Sequence, residues 1–134
     1  MIITIPGNPI PAARPRVTST HTYNPKSTLM HKISQIIKAQ WPAPPLNCPV
    51  SLTLRFFMPI PKSLSIKKQL RLSNTPHTKR PDLDNLCKQY LDASNNIIFK
   101  DDSLVYKIYA SKVYSDNPRT EIDLQWTLIP NNLD

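Results

Sequence analysis

No aspartate or glutamate occurs before Asp82, although the first 81 residues carry twelve lysines and arginines. A field of one sign over that length favours a polyanionic partner, because each phosphate neutralised releases condensed counterions. Solubility alone rarely needs such asymmetry. Glycine occurs once against fifteen prolines, so the loops must turn with Pro, Asn and Ser, and X-Pro segments should be extended and stiff. The two cysteines, Cys48 and Cys87, are 39 residues apart, with no C-x-x-C pair and no histidine at zinc-ligand spacing. That excludes a disulfide framework or a zinc knuckle and fits a reducing cytoplasm. No apolar run reaches the roughly 18 residues of a membrane span, and Ile2-Ile3-Thr4-Ile5 opens as a strand, so neither a span nor a signal peptide is expected.

What is present reads as one domain over residues 1–134. Ile2 to Pro6 is a first strand. Pro9, Pro11, Pro15 and Pro25 then mark an extended surface arm bearing Arg14, Arg16 and Tyr23. From Ser27 to about Trp41 the period turns helical, with Met30, Ile33, Ile37 and Trp41 on one stripe, and Pro42 stops it. Residues 50–58 alternate Leu52, Leu54, Phe56 and Met58 against Ser51, Thr53 and Arg55, the pattern of a half-buried strand. Between Pro59 and Arg80 lies a polar, acid-free stretch with Lys62, Lys67, Lys68, Arg71, Lys79 and Arg80, read as a mobile basic loop with room for a short helix over Ser65 to Arg71.

A second helix is predicted from Leu83 to Ser94, with Leu83, Leu86, Cys87, Tyr90 and Leu91 as its buried face, pointing away from Asp82, Asp84 and Lys88. Asn95-Asn96 ends it, asparagine taking the left-handed role of a missing glycine. Two strands follow, one from Leu104 to Tyr114 and one through Ile122, Leu124, Trp126 and Leu128. The order β-α-β-α-β-β predicts an α/β (α+β) fold, a two-layer sandwich of two helices on a mixed four-stranded sheet whose last two strands are antiparallel.

Five of the nine acids fall within 21 residues: Asp82, Asp84, Asp92, Asp101 and Asp102. Each has a plain structural reading, Asp92 as a helix-surface charge. Asp82 can cap the helix, Asp84 can complement its dipole and pair with Lys88, and Asp101-Asp102-Ser103 can form a turn. Their concentration where the basic stretch ends favours chemistry instead. Carboxylates within about 4 Å repel by roughly 1 to 4 kcal/mol per pair, which a cation relieves, and hard oxygen donors suit Mg²⁺ or Mn²⁺ bridging to phosphate.

The run Lys79-Arg80-Pro81-Asp82-Leu83-Asp84-Asn85-Leu86-Cys87-Lys88, then Leu91-Asp92-Ala93 and Lys100-Asp101-Asp102-Ser103, resembles the RusA family of Holliday junction resolvases. Pro9 through Arg16 with Tyr23-Asn24-Pro25-Lys26 is similar to the arm of its phage-type members, and Met58 to Lys68 to its basic loop. The resemblance implies that Asp82, Asp84 and Asp102 are the metal-binding carboxylates, with Asp101 a lesser contributor, and that Lys88 is the catalytic lysine. It also implies a homodimer that cuts four-way DNA junctions symmetrically. The chain departs from the family's pattern at Asn95-Asn96, where Asn-Gly is common.

Arg14, Arg16, Lys67, Lys68, Arg71, Lys79 and Arg80 are the candidate phosphate contacts, which would set register without reading bases. Two other readings stand beside the resolvase. One is a non-catalytic basic DNA-binding module in which the aspartates only cap and turn. The other is a metal-dependent nuclease acting on RNA or flaps.

Overall fold

A computed structural model describes residues 1–12, 16–17, 22–23 and 27–128 of the chain. The strands are β1 (Ile2–Pro6), β2 (Arg16–Val17), β3 (Thr22–Tyr23), β4 (Val50–Pro59), β5 (Val105–Ser115) and β6 (Arg119–Trp126). The helices are α1 (Ser27–Gln40), α2 (Ile66–Leu72) and α3 (Leu83–Ser94), and a single 3₁₀ turn, Asp102–Leu104, leads into β5. The main sheet has the order β1-β6-β4-β5, with β4 parallel to β5 and antiparallel to β6. It is the mixed four-stranded sheet of the expected α+β fold.

β4 is central because its alternation satisfies both of its neighbours and the helices above it. Val50, Leu52, Leu54, Phe56 and Met58 are all buried, while the residues between them stay half-buried on the open face of the sheet. The core above β4 is completed by Ile3 and Ile5 of β1, Ile33 and Ile37 of α1, Leu86, Tyr90 and Ala93 of α3, and Ile122 and Leu124 of β6. Burying an aliphatic or aromatic side chain contributes roughly 1.5 to 3 kcal/mol, so this cluster is the main source of stability.

Two expectations are corrected. There are three helices, the third being α2 inside the basic stretch, and a short β2–β3 pair adds a second sheet. β5 and β6 run antiparallel as expected, with β4 between them. The link over residues 116–118 passes the end of β4, so the two strands flank it on either side. Finally, only Trp41 of the two tryptophans is core. Trp126 is 43% exposed and sits edge-on against Trp41 with ring centroids 5.7 Å apart. Asn96 takes φ 62°, the left-handed conformation expected of it at the end of α3.

Candidate active site

α3 starts where Pro81 and Asp82 end an extended approach, Asp82 standing at the N-cap position with φ −68° and ψ 143°. Two backbone anchors hold this end of the helix. The Lys112 ammonium on β5 donates to the carbonyls of Lys79 at 2.6 Å and Pro81 at 2.7 Å. From the other side the root of the arm is tied down, the Ala12 N–H donating to the Asn85 carbonyl at 3.0 Å and the Ile10 N–H to the Tyr90 hydroxyl at 3.1 Å. Sequence reasoning missed Lys112. Its signal was available, since the alternation of residues 104–114 puts Lys112 in phase with Ile108, Ala110 and Tyr114.

Between α3 and β5 lies an open groove of about 540 Å³. Leu83, Cys87 and Leu91 of α3 and Ala110 of β5 provide its apolar lining, and Asp84, Lys88, Asp92 and Asp102 its polar groups. α3 is thus turned from the expected orientation. Leu86, Gln89, Tyr90 and Ala93 are its buried residues, whereas Leu83, Cys87 and Leu91 are half-buried beside the charged groups instead of pointing away from them. The physical reason is the short side chain of Ala93, which lets α1 approach: the Ser34 hydroxyl reaches the Ala93 carbonyl at 3.0 Å.

Asp82 makes no side-chain cap hydrogen bond despite its N-cap position. Asp84 does not pair with Lys88. Its carboxylate accepts the Asn85 N–H at 2.9 Å, and the Lys88 ammonium lies 3.4 Å from Asp92. That pair is solvent-exposed on the lysine side and is worth a few tenths of a kcal/mol, so Lys88 is easily released. Asp101 does behave as a turn residue, capping the 3₁₀ turn by accepting the Ser103 N–H at 3.0 Å. Hydrogen bonds from the Ser103 side chain and backbone hold the Asp101 carboxyl below the usual aspartate value. Burial, and then the charge of Asp84, push the Cys87 thiol up, which keeps it protonated and out of competition as a soft ligand.

The candidate phosphate-binding cations have no ion-pair partners. Lys67, Lys68 and Arg71 of α2 and Lys79 and Arg80 before α3 are all exposed, and none enters an ion pair among the described residues. Arg14 lies outside the described residues, as does the side chain of Arg16.

The family model for endodeoxyribonuclease RusA matches residues 6–125. This chain belongs to the RusA family. It is also 32% identical over 129 residues to the uncharacterized protein YqaN of Bacillus subtilis strain 168, covering 89% of this chain and 91% of that protein. Membership of the RusA family implies endodeoxyribonuclease activity on Holliday junctions, and hence DNA as a partner.

Nucleases of the RusA family depend on a divalent metal, so the fit of these residues to such an ion matters. By donor chemistry they fit: Asp82, Asp84 and Asp102 are exposed hard-oxygen donors, and none is held in an ion pair among the described residues. By spacing, they do not converge. Asp84 and Asp102 share the groove, whereas Asp82 lines a neighbouring hollow with Pro11, Ala12, Arg80, Pro81 and Asn85. Among the described residues no group of three or more His, Cys, Asp or Glu is close enough together to hold a metal ion. No helix among them is long and apolar enough to cross a membrane.

Proposed function

We propose that this RusA-family chain is a cytoplasmic, Mg²⁺-dependent endodeoxyribonuclease of DNA recombination and repair that acts as a homodimer, resolving four-way junctions by paired symmetric nicks. Mn²⁺ would serve in place of Mg²⁺. The observation that carries this reading is the groove. It gathers Asp84, Lys88 and Asp102 from two elements, leaves both carboxylates outside any ion pair among the described residues, and follows in the chain a basic segment without acids.

Asp84 and Asp102, joined by Asp82, are the residues that would hold the metal, with Asp101 limited by its bond to Ser103. A bound divalent ion supplies Lewis-acid polarisation of the scissile phosphate and a more acidic water. Lys88, on the same wall as Asp84 and only loosely held by Asp92, presents a mobile cation to the phosphate oxygens as charge builds there. Lys112 positions the site by fixing residues 79–81 against β5. Lys67, Lys68, Arg71, Lys79 and Arg80, with Arg14 and Arg16 of the arm, bind the backbones of the junction arms. A C2 dimer would set two such grooves against opposing strands of a substrate that is itself close to two-fold symmetric.

The test offers the purified chain a labelled four-way junction, a linear duplex and an RNA hairpin, with Mg²⁺ or with EDTA. Paired nicks in the junction alone, abolished by EDTA and by Asp84→Asn, are expected. Equal cutting of all three substrates, or cutting that survives both treatments, would overturn the proposal.

A further inference from the structure

Amphipathic helices ordinarily bury their apolar stripe, and α2 does the reverse. Ile66 and Leu70, one turn apart on one stripe, are 77% and 73% exposed, and none of the seven residues of α2 is buried. The helix is nonetheless held in place by polar contacts. Ser65 Oγ accepts the Lys68 N–H at 3.3 Å, the Gln69 side chain donates to the Leu64 carbonyl at 2.8 Å, and the Thr75 hydroxyl donates to the Leu72 carbonyl at 2.6 Å. A well-pinned helix therefore presents two large aliphatic side chains to solvent, with Lys67, Lys68 and Arg71 around them.

The charge on α2 selects what covers that stripe. A second copy of the chain would bring another set of uncompensated cations against the first, since neither α2 nor anything before it carries an acid. A lipid surface is a poor match for a helix about 10 Å long, as interfacial helices commonly run to several times that length. Branched DNA supplies both complements, phosphates for the cations and unstacked bases for the aliphatic pair.

We infer that α2 is a wedge: Ile66 and Leu70 enter between bases at the branch point while Lys67, Lys68 and Arg71 neutralise the phosphates beside it. This rests on the junction-resolving function proposed above and adds how the branch is opened. Apolar side chains that intrude between base steps must unstack them, and the cost is least where pairing is already interrupted. The wedge thereby favours a branch over a duplex with no base being read.

The experiment uses the full chain in EDTA, so that binding is separated from cutting. The probes are a four-way junction with 2-aminopurine at the crossover and a linear duplex of the same sequence. Binding of the unchanged chain should raise the 2-aminopurine emission. The double substitution Ile66→Ser, Leu70→Ser should abolish that rise and lower the junction-over-duplex preference about tenfold, the scale of one lost stacking contact, with duplex affinity and circular dichroism unchanged. Ile66→Met with Leu70→Met should restore both, and Lys67→Ala with Lys68→Ala should weaken binding to both DNAs while leaving the emission at saturation. A serine variant that opens and prefers junctions as the unchanged chain does overturns the wedge alone. So does one that instead splits a dimer or loses affinity for phosphatidylglycerol vesicles, since the stripe would then be a subunit or lipid contact. An unchanged chain that binds junction and duplex alike overturns the junction reading itself, and the wedge with it.

Discussion

On the open face of the sheet the charges of β4 and β6 are paired. Arg55 reaches Asp123 at 3.3 Å and Glu121 at 3.7 Å, and Arg119 reaches Glu121 at 3.2 Å while its guanidinium lies 3.7 Å from the centre of the Phe57 ring. Around α2 and α3 the charges are as numerous, yet the single ion pair there among the described residues is Lys88 with Asp92. The two regions obey the same electrostatics, and what differs is what the charges are set against. On the sheet, cross-strand register places opposite signs side by side, so they neutralise each other. In the second region Asp84 and Asp102, and the exposed Lys67, Lys68, Arg71, Lys79 and Arg80, enter no ion pair among the described residues, which leaves them available to phosphate and to a cation. Unpaired charge concentrated in one region marks where a ligand completes the structure.

The comparison breaks first if the groove proves inert. Asp84→Asn or Asp102→Asn should lower junction cleavage by about 10²- to 10³-fold, the usual effect of losing one group that stabilises transition-state charge. Thermal stability should stay within about 0.5 kcal/mol, because both side chains are exposed. Nicking rates and melting curves measured on the same preparations check both halves.

Lys112→Met comes next. It keeps the aliphatic stem but releases the Lys79 and Pro81 carbonyls, and the single-turnover rate on saturating junction should fall about 10- to 100-fold, as for residues that orient metal ligands. Affinity for the junction should hold, and a loss confined to affinity would show that Lys112 contacts DNA instead.

Smaller effects separate the unpaired cations from the paired ones. Each of Lys67→Ala, Lys68→Ala and Arg71→Ala should flatten the log-log salt dependence of DNA binding by about one unit if that side chain meets a phosphate. Arg55→Ala on the paired face should leave DNA binding and cleavage unaltered and reduce stability by up to about 1 kcal/mol, a partly exposed pair contributing no more. A reversal of these two outcomes would exchange the roles of the two faces.

The smallest effect concerns His77, whose ring lies 4.6 Å from that of Tyr114. Burial, and then Lys112, lower its pKa from the ordinary value of 6.5, so the folded state favours the neutral ring. The associated stability is complete above pH 6.5 and is lost as pH falls through the lowered value. Between pH 7.5 and pH 5 the unchanged chain should lose more thermal stability than His77→Gln, measured by calorimetry.

Local pattern made much of this legible. β1 and α3 have the bounds that alternation and helical period predict, and Asn96 takes the left-handed turn expected of it. The short helix in the basic stretch was allowed for but not counted. None of its residues is fully buried, so the stretch carries no core-facing stripe to distinguish it from loop. The order of β4, β5 and β6 was not legible either, because sequential strands more often pair and nothing in residues 116–118 announces a passage over β4.

The same division runs through the site. The acid-free first 81 residues, the cluster from Asp82 to Asp102 and the RusA motif are properties of the one-dimensional chain, and they determine charge, donor type and family. Which acids share a groove was decided only by the tertiary structure. Rotation of α3 by its contact with α1 brings Asp84, Lys88 and Asp102 to one groove and leaves Asp82 on another, and the anchoring of residues 79–81 by Lys112 depends on a strand 31 residues beyond Pro81. Spacing along a chain limits which groups can meet, but packing of the helix against its neighbours chooses which of them do.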